Sequence, residues 1–263
     1  MLLGLTQEGQ MESGHAFVAE QYGVRAQDYV SSAVHSSGAD LDQIEALVRG
    51  RDTARVLDLG CGGGHVSYRV APHVATVVAC DPTAPMLQAV AATAASRGLG
   101  NIEVRAGAAE RLPFEDAAFD MVLCRFSAHH WQDLEAGLRE ARRVCKPGAD
   151  AVLVDSVAPP ARVLDTHLQA VELLRDASHV RNYSVAELVA ALSRAGFVLC
   201  GATLRTLRME FPSWIARTRT PPEHAAAIRA LQAGAPPAVR RQFGIGADGS
   251  FDLEAVTLVA RAV

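Results

Sequence analysis

No two cysteines in this sequence stand at C-x-x-C spacing, and their count is odd: Cys61, Cys80, Cys124, Cys145 and Cys200. Neither a zinc knuckle nor a disulfide scaffold fits that pattern. Four of the five fall in or beside apolar runs, where a thiol behaves as a small hydrophobe, so buried, reduced and inert side chains are expected. Also missing is any surplus of one charge. Lys+Arg number 25 against Asp+Glu 29, a net charge of −4 with no long single-sign run. That balance carries no electrostatic footprint for nucleic acid. No apolar stretch approaches the ~18 residues needed to cross a bilayer. Met1 to Gln10 has neither a basic n-region nor an extended apolar one, so a secretion signal is not expected. No internal repeat or low-complexity tract is visible. A soluble, cytoplasmic protein, as a monomer or homodimer, is the expectation.

What is present is material for a core. Hydrophobic residues make up 49% of the 263 and charged residues 21%, which suits one α/β domain with an elaboration. Strand-like apolar runs recur at Arg55–Leu59, Thr76–Cys80, Ile102–Ala106, Met121–Cys124 and Ala151–Asp155. Between them, Met86, Leu87, Val90 and Ala94 repeat at helical spacing, as do Leu134, Leu138, Ala141 and Cys145. Strands alternating with helices imply a parallel sheet covered on both faces. Ser184 followed by Glu187 predicts a capping box, with Gly196 closing that helix. Pro147-Gly148 is expected to end the preceding helix. Beyond Phe197 the pattern changes. Leu207 to Gly249 holds most of the late prolines, two helical stretches and Gly-rich turns, and Val256–Ala260 reads as a final strand.

The most informative stretch is Val56-Leu57-Asp58-Leu59-Gly60-Cys61-Gly62-Gly63-Gly64-His65, a buried strand running through glycines into a helix. Glycine allows the backbone to approach a ligand closely and to take φ values other residues resist. A structural turn is the plainer reading of such a cluster, and the G-x-G-x-x-G of a nicotinamide site fits the spacing poorly. A second strand, Val77-Val78-Ala79-Cys80, ends in Asp81, an acid 21 residues after Gly60. An acid there can accept both hydroxyls of a ribose; an Asp favoured by a helix dipole is the alternative. Two further stretches are Gly107-Ala108-Ala109-Glu110-Arg111-Leu112-Pro113-Phe114 and Glu140-Ala141-Arg142-Arg143-Val144-Cys145-Lys146-Pro147-Gly148.

In this order and spacing the four motifs resemble the class I S-adenosylmethionine-dependent methyltransferases, in particular the branch typified by ubiquinone/menaquinone-biosynthesis C-methyltransferases. The resemblance covers about Tyr22 to Phe197. It implies a Rossmann-like α/β fold: a seven-stranded, mostly parallel sheet with its last strand antiparallel and helices on both faces. It also implies a helical lid over residues 1–50 and a cofactor-binding core over 51–206; the change of pattern beyond Phe197 reads as a helical insertion over 207–250, near the acceptor pocket, before the final strand in 251–263. The cofactor implied is S-adenosyl-L-methionine. Asp58 and the backbone of Gly60, Cys61, Gly62 and Gly64 would hold its methionine part. Asp81 would take the ribose diol, with Pro82 and Met86 flanking the adenine and Ala108, Ala109 and Glu110 along its edge. Arg125, Phe126 and Ser127 would pass beneath the sulfonium. Relatives commonly carry Asp where this chain has Ala108, which leaves backbone or Glu110 to read the adenine amino group.

Methyl transfer is an in-line displacement, so alignment and exclusion of water matter most, and a base is needed only for a protonated acceptor. His130, followed by His129, is the candidate for a base or an acceptor-positioning group, since both directly follow a strand end and titrate near neutrality. Packing or capping is the alternative for both. Neighbouring side chains diverge, so no metal site is expected from the pair. Tyr22, Ala26 and Tyr29 share one helical face, either a lid against the sulfonium or a core stripe. His35 would lie near the same pocket, and His179 and Tyr183 are acceptor-contact candidates in a loop. The expected reaction is methyl transfer to C, N or O of a small molecule. The alternative is an S-adenosylmethionine-binding protein that transfers no methyl, or a noncatalytic partner.

Overall fold

A computed structural model of the chain describes Gly14, Phe17 and residues 37–263. Helix α1 (Ala39–Val48) leads into β1 (Arg51–Leu59), α2 (His65–Val70), β2 (Val74–Asp81), α3 (Ala84–Ser96) and β3 (Ile102–Ala106). Then follow β4 (Phe119–Arg125), α4 (Leu134–Val144), β5 (Cys145–Ser156), α5 (Arg162–Arg175), α6 (Val185–Arg194) and β6 (Phe197–Met209). Three helices, α7 (Phe211–Arg217), α8 (Pro222–Ala233) and α9 (Pro237–Gln242), precede β7 (Phe251–Ala262). The seven strands lie in the order β3-β2-β1-β4-β5-β7-β6. All pairs from β3 to β5 are parallel, and β7 runs antiparallel to both β5 and β6.

The continuous apolar runs follow from burial on two faces. Val56 of β1 and Met121 and Leu123 of β4 pack with Leu41 and Ile44 of α1 on one side. Leu57 and Leu59, with Val122 and Cys124, pack with Leu138 and Leu188 of α4 and α6 on the other. Successive side chains of a strand alternate faces, so each layer collects every second residue. The order reverses between β1 and β4, which opens a crevice at the carboxyl ends of those two strands.

The capping box forms as its spacing predicts. The Glu187 amide donates to Ser184 Oγ at 3.3 Å and the Ser184 amide to Glu187 Oε2 at 2.7 Å. Gly196, at φ 94°, ends the helix. Other local expectations shift. Pro147-Gly148 does not cap α4; the helix stops at Val144, and the pair lies inside β5 where the register slips between Phe119 and Met121 of its neighbour. The final strand starts at Phe251 rather than Val256, because β6 continues to Met209 and supplies a partner along that whole length. The segment between them holds three helices, not two, and shares an apolar cluster with α5: Leu168, Val171, Trp214, Ile228 and Phe251. Four thiols are buried, but Cys200 is exposed, at the residue the β6–β7 register skips. No helix among the described residues is long and apolar enough to cross a membrane.

Candidate active site

A cavity of about 860 Å³ opens at the reversal point and extends from the turn after β1 to the wall made by α5, β6 and α7. The turn itself depends on glycine at two positions. Gly60 has φ 70°, and a Cβ there would sit 1.9 Å from Ser127 Oγ, so β1 and β4 loops could not approach with any larger residue. Gly64, at φ 79°, would collide with the Tyr68 ring at 2.8 Å; it shapes the start of α2 and is not part of the cavity wall. Gly60, Cys61 and Gly62 do line the cavity, together with Asp58 and Asp81.

Both acids hold the turn in place. Asp58 is buried, and its Oδ2 accepts from the Ser67 amide at 3.0 Å and from Ser67 Oγ at 2.6 Å. Burial pushes its pKa up to about 6 against the pull of those bonds. Asp81 accepts from the Gly62 amide at 3.0 Å through Oδ2 and from the Thr83 amide at 2.9 Å through Oδ1. Its pKa is also raised by burial. The Thr83 side chain donates to the same carboxylate, which offers about four lone-pair sites in all, so its capacity to accept is not exhausted. Pro82 and Met86 border the same space from α3, and Ala108 and Ala109 from the loop after β3. Glu110 lines the cavity as well, while its Oε1 accepts from the Gln132 amide at 2.7 Å and ties that loop to the start of α4.

Beneath the turn, Arg125 closes β4. Its Nε donates to Asp40 Oδ2 at the start of α1, both side chains nearly buried, and its guanidinium stands 4.8 Å from the Phe126 ring centroid. Phe126 has φ 50°, a left-handed conformation that a non-glycine residue adopts under constraint; its amide donates to the Val154 carbonyl at 2.8 Å. Ser127 Oγ accepts from Trp131 Nε1 at 3.2 Å.

His129 and His130 follow in a 3₁₀ turn, and both line the cavity. His129 Nδ1 lies 2.6 Å from Asp155 Oδ1, at the end of β5. Burial works against its imidazolium, but the charge of Asp155, with Glu172 and Asp176 farther off, outweighs it and raises the pKa. His130 is the opposite case. Burial first, then the charge of His129, pushes its pKa down to about 4. Its Nδ1 lies 3.1 Å from the Ser178 carbonyl, an acceptor only, so the neutral ring carries its proton on Nδ1.

The other acceptor candidates lie elsewhere. His179 is buried, bonded through Nε2 to Gln169 Oε1 at 2.9 Å, and sits behind His129 with ring centroids 5.9 Å apart. Tyr183 borders a separate hollow beside α4 and α6. Tyr22, Tyr29 and His35 fall outside the described residues. The cavity also takes in residues that sequence reasoning passed over: Asp40, Ser156, Glu172, Arg175 and Arg205. Asp155, which orients His129, has one local signal, an acid at the carboxyl end of a strand. Glu172 and Arg175 have none, since an i, i+3 charge pair on an amphipathic helix reads as a solvated face.

Residues 57–153 match the family model of the methyltransferase domain. YcgJ of Bacillus subtilis (strain 168), an uncharacterised methyltransferase, is 34% identical over 203 residues, 77% of this chain and 80% of its own. Its crystal structure superposes with a TM-score of 0.82 at 32% identity, covering 85% of this chain and 97% of that one. The chain belongs to the class I methyltransferases. An uncharacterised protein, YafE of Escherichia coli (strain K12), is 43% identical over 201 residues, 76% of this chain and 97% of its own. The [4+2]-cyclase SpnF shares the fold at 24% identity and a TM-score of 0.58, covering 84% of this chain and 80% of its own. A class I sheet therefore does not by itself dictate methyl transfer.

Proposed function

We propose that this methyltransferase moves a methyl group from S-adenosyl-L-methionine to a small-molecule acceptor, with His129 as the proton-accepting group. The observation that carries the reading is the Gly60–Gly62 turn clamped by Asp81 in the same cavity as His129, whose ring is held from behind by the buried Asp155. The residues present suit the cofactor. The turn admits no Cβ at Gly60, a Cβ at Gly62 would meet nothing within 4 Å, and the acids Asp58 and Asp81 complement a cation. When bound, the cofactor supplies an electrophilic methyl on a sulfonium.

The remaining roles belong to the chain. Backbone at Gly60–Gly62 and the spare oxygen of Asp58 would hold the methionine end; the carboxylate of Asp81, at the end of β2 in the same cavity, would accept from a ribose diol. Met86, Pro82, Ala108 and Ala109 would border the adenine, with Glu110 at its edge. Arg125, Phe126 and Ser127 form a constrained floor that would keep the reacting centre aligned and dry. Asp155 fixes the His129 tautomer with the proton on Nδ1 and leaves Nε2 to accept a proton from the acceptor, the arrangement of a base held by an orienting acid. His130, neutral and far weaker as a base, would position the acceptor.

Incubation with isotopically labelled S-adenosylmethionine and a metabolite extract tests the reading. A labelled product and S-adenosylhomocysteine are expected by mass spectrometry. Calorimetric binding of the cofactor with no labelled product under any extract would reduce the chain to a binder, and no binding would overturn the assignment.

A further inference from the structure

The cavity differs in charge between its two ends. Around the glycine turn the described lining carries Asp58, Asp81 and Glu110. The wall made by α5, β6 and α7 is cationic instead: four arginines, Arg175, Arg205, Arg208 and Arg217, face two acids, Glu172 and Glu210. Arg208 is matched by Asp252 at 3.0 Å and by Glu210. Arg175 pairs with Glu172 at 3.2 Å and lies 5.0 Å from the Trp214 ring centroid. Arg217 donates to the Met209 sulfur at 3.6 Å. Arg205 donates to Thr257 Oγ1 at 2.8 Å and to Gln43 Oε1. Both partners of Arg205 are neutral, so they orient its guanidinium without neutralising it. Interleaved with these cations are Leu207, Met209, Trp214 and Leu253, an apolar and aromatic surface.

A guanidinium held by neutral partners in a cavity wall is favoured by an incoming anion, because a fork of N–H donors matches carboxylate or phosphate oxygens and strengthens as water leaves. We propose that the acceptor is an amphiphilic anion, an apolar body bearing a carboxylate or phosphate, with Arg205 and its neighbours Arg175 and Arg217 receiving the charge. The apolar body lies against Leu207, Met209 and Trp214. The acidic end would then serve the cationic cofactor and the basic end the anionic acceptor, so each ligand is drawn to its own side. The proposal rests on the assignment of this cavity to methyl transfer and extends it to the class of acceptor.

Two fluorescent probes that share their rings test it: anilinonaphthalenesulfonate, which carries a negative charge, and neutral anilinonaphthalene. With the protein saturated in S-adenosylhomocysteine, the anionic probe should bind at least roughly tenfold tighter, the worth of one charge-assisted hydrogen bond. Arg205→Gln and Arg217→Gln should each remove most of that preference while neutral-probe binding stays put. Arg205→Lys should retain part of it, and the exposed Arg241→Gln should match wild type. Dodecanoate and dodecyl phosphate should displace the probe where dodecanol does not, and their ranking separates carboxylate from phosphate. Equal binding of the two probes to the wild-type protein overturns the proposal, as do folded Arg205 and Arg217 variants with unchanged preference. Calorimetry with S-adenosylhomocysteine on the same samples keeps the readings apart: absence of that heat removes the methyltransferase assignment, whereas its presence without an anion preference removes only this inference.

Discussion

Asp155 grips His129 at two points: its Oδ1 lies 2.6 Å from the ring Nδ1, and its Oδ2 accepts the backbone amide of the same residue at 3.1 Å. The ring is thereby fixed relative to its own main chain, and its basicity is raised although it is buried. A histidine that is merely packed would have its pKa lowered by the same burial, as His130 and His179 do.

Asp155→Asn keeps the shape of the pair and removes its charge. In the wild-type protein the base is neutral only above its raised pKa, so methyl transfer should climb with pH through that value. In the variant the acid limb should move to lower pH and the plateau kcat should fall, by up to the ~10²–10⁴-fold that a general base contributes. S-adenosylhomocysteine affinity should hold. A pH–rate profile whose acid limb does not move would place the base elsewhere.

Asp81→Ala should weaken S-adenosylhomocysteine binding by about 1.5–3 kcal/mol, since a charged acceptor for two hydroxyls is lost. The Gly62 and Thr83 amides also lose their acceptor, so a small fall in Tm is expected alongside. Calorimetry and a melting curve read the two effects separately, and wild-type affinity in a folded variant would mean that the ribose lies elsewhere.

Asp58 makes stability depend on pH in a direction opposite to that of a salt-bridged acid. Its pKa is about 6 in the folded chain against 3.8 for the free group, so the native state holds the proton more tightly. Its contribution therefore falls as pH rises from about 4 to 6 and is constant above, by on the order of 3 kcal/mol for a shift of this size. Asp58→Asn should match wild type near pH 4 and exceed it in denaturant midpoint at pH 8, while losing cofactor affinity. A gap that does not grow with pH would show that Asp58 ionises without penalty.

Two glycines separate strain from collision. Gly50→Ala at φ 78° meets nothing within 4 Å, so it should lose only the roughly 1–2 kcal/mol of a left-handed side chain. Gly60→Ala has a similar φ of 70° and also strikes Ser127 Oγ at 1.9 Å. It should be destabilised by about 1–3 kcal/mol more and should lose cofactor binding. Equal losses in chemical denaturation would mean that the loop after β4 gives way freely.

Several features of this chain are legible in one dimension because they arise from neighbours along it. The apolar runs of β1, β2, β4 and β5 announce strands buried on both faces, and each forms at its expected place. Ser184 and Glu187 stand three residues apart and therefore must meet if a helix starts there. The run Gly60–Gly64 reports backbone angles that only glycine takes readily, and Asp81 reports the end of a strand that pairs with the one before the turn. Even so, Pro147-Gly148 misled. A proline–glycine pair signals a break in regular structure, but a register slip within β5 satisfies that signal as well as a helix end does.

The rest required the sheet. Arg125 finds Asp40 across 85 residues and His129 finds Asp155 across 26, contacts that exist only because β4 lies beside β5 and α1 packs over their ends. The contrast between His129 and His130, adjacent in sequence and driven to opposite basicity, arises because Asp155 pairs with the first ring and outweighs its burial, while burial and the charge of His129 depress the second. The cationic wall draws Arg175, Arg205 and Arg217 from three separate elements, each of which by itself reads as an ordinary solvated charge. Local pattern determines which residues form strands, turns and caps, since those energies depend on near neighbours. Charge, burial and proton affinity at the site depend on groups far apart in the chain, and only the folded sheet brings them within a few ångströms of each other.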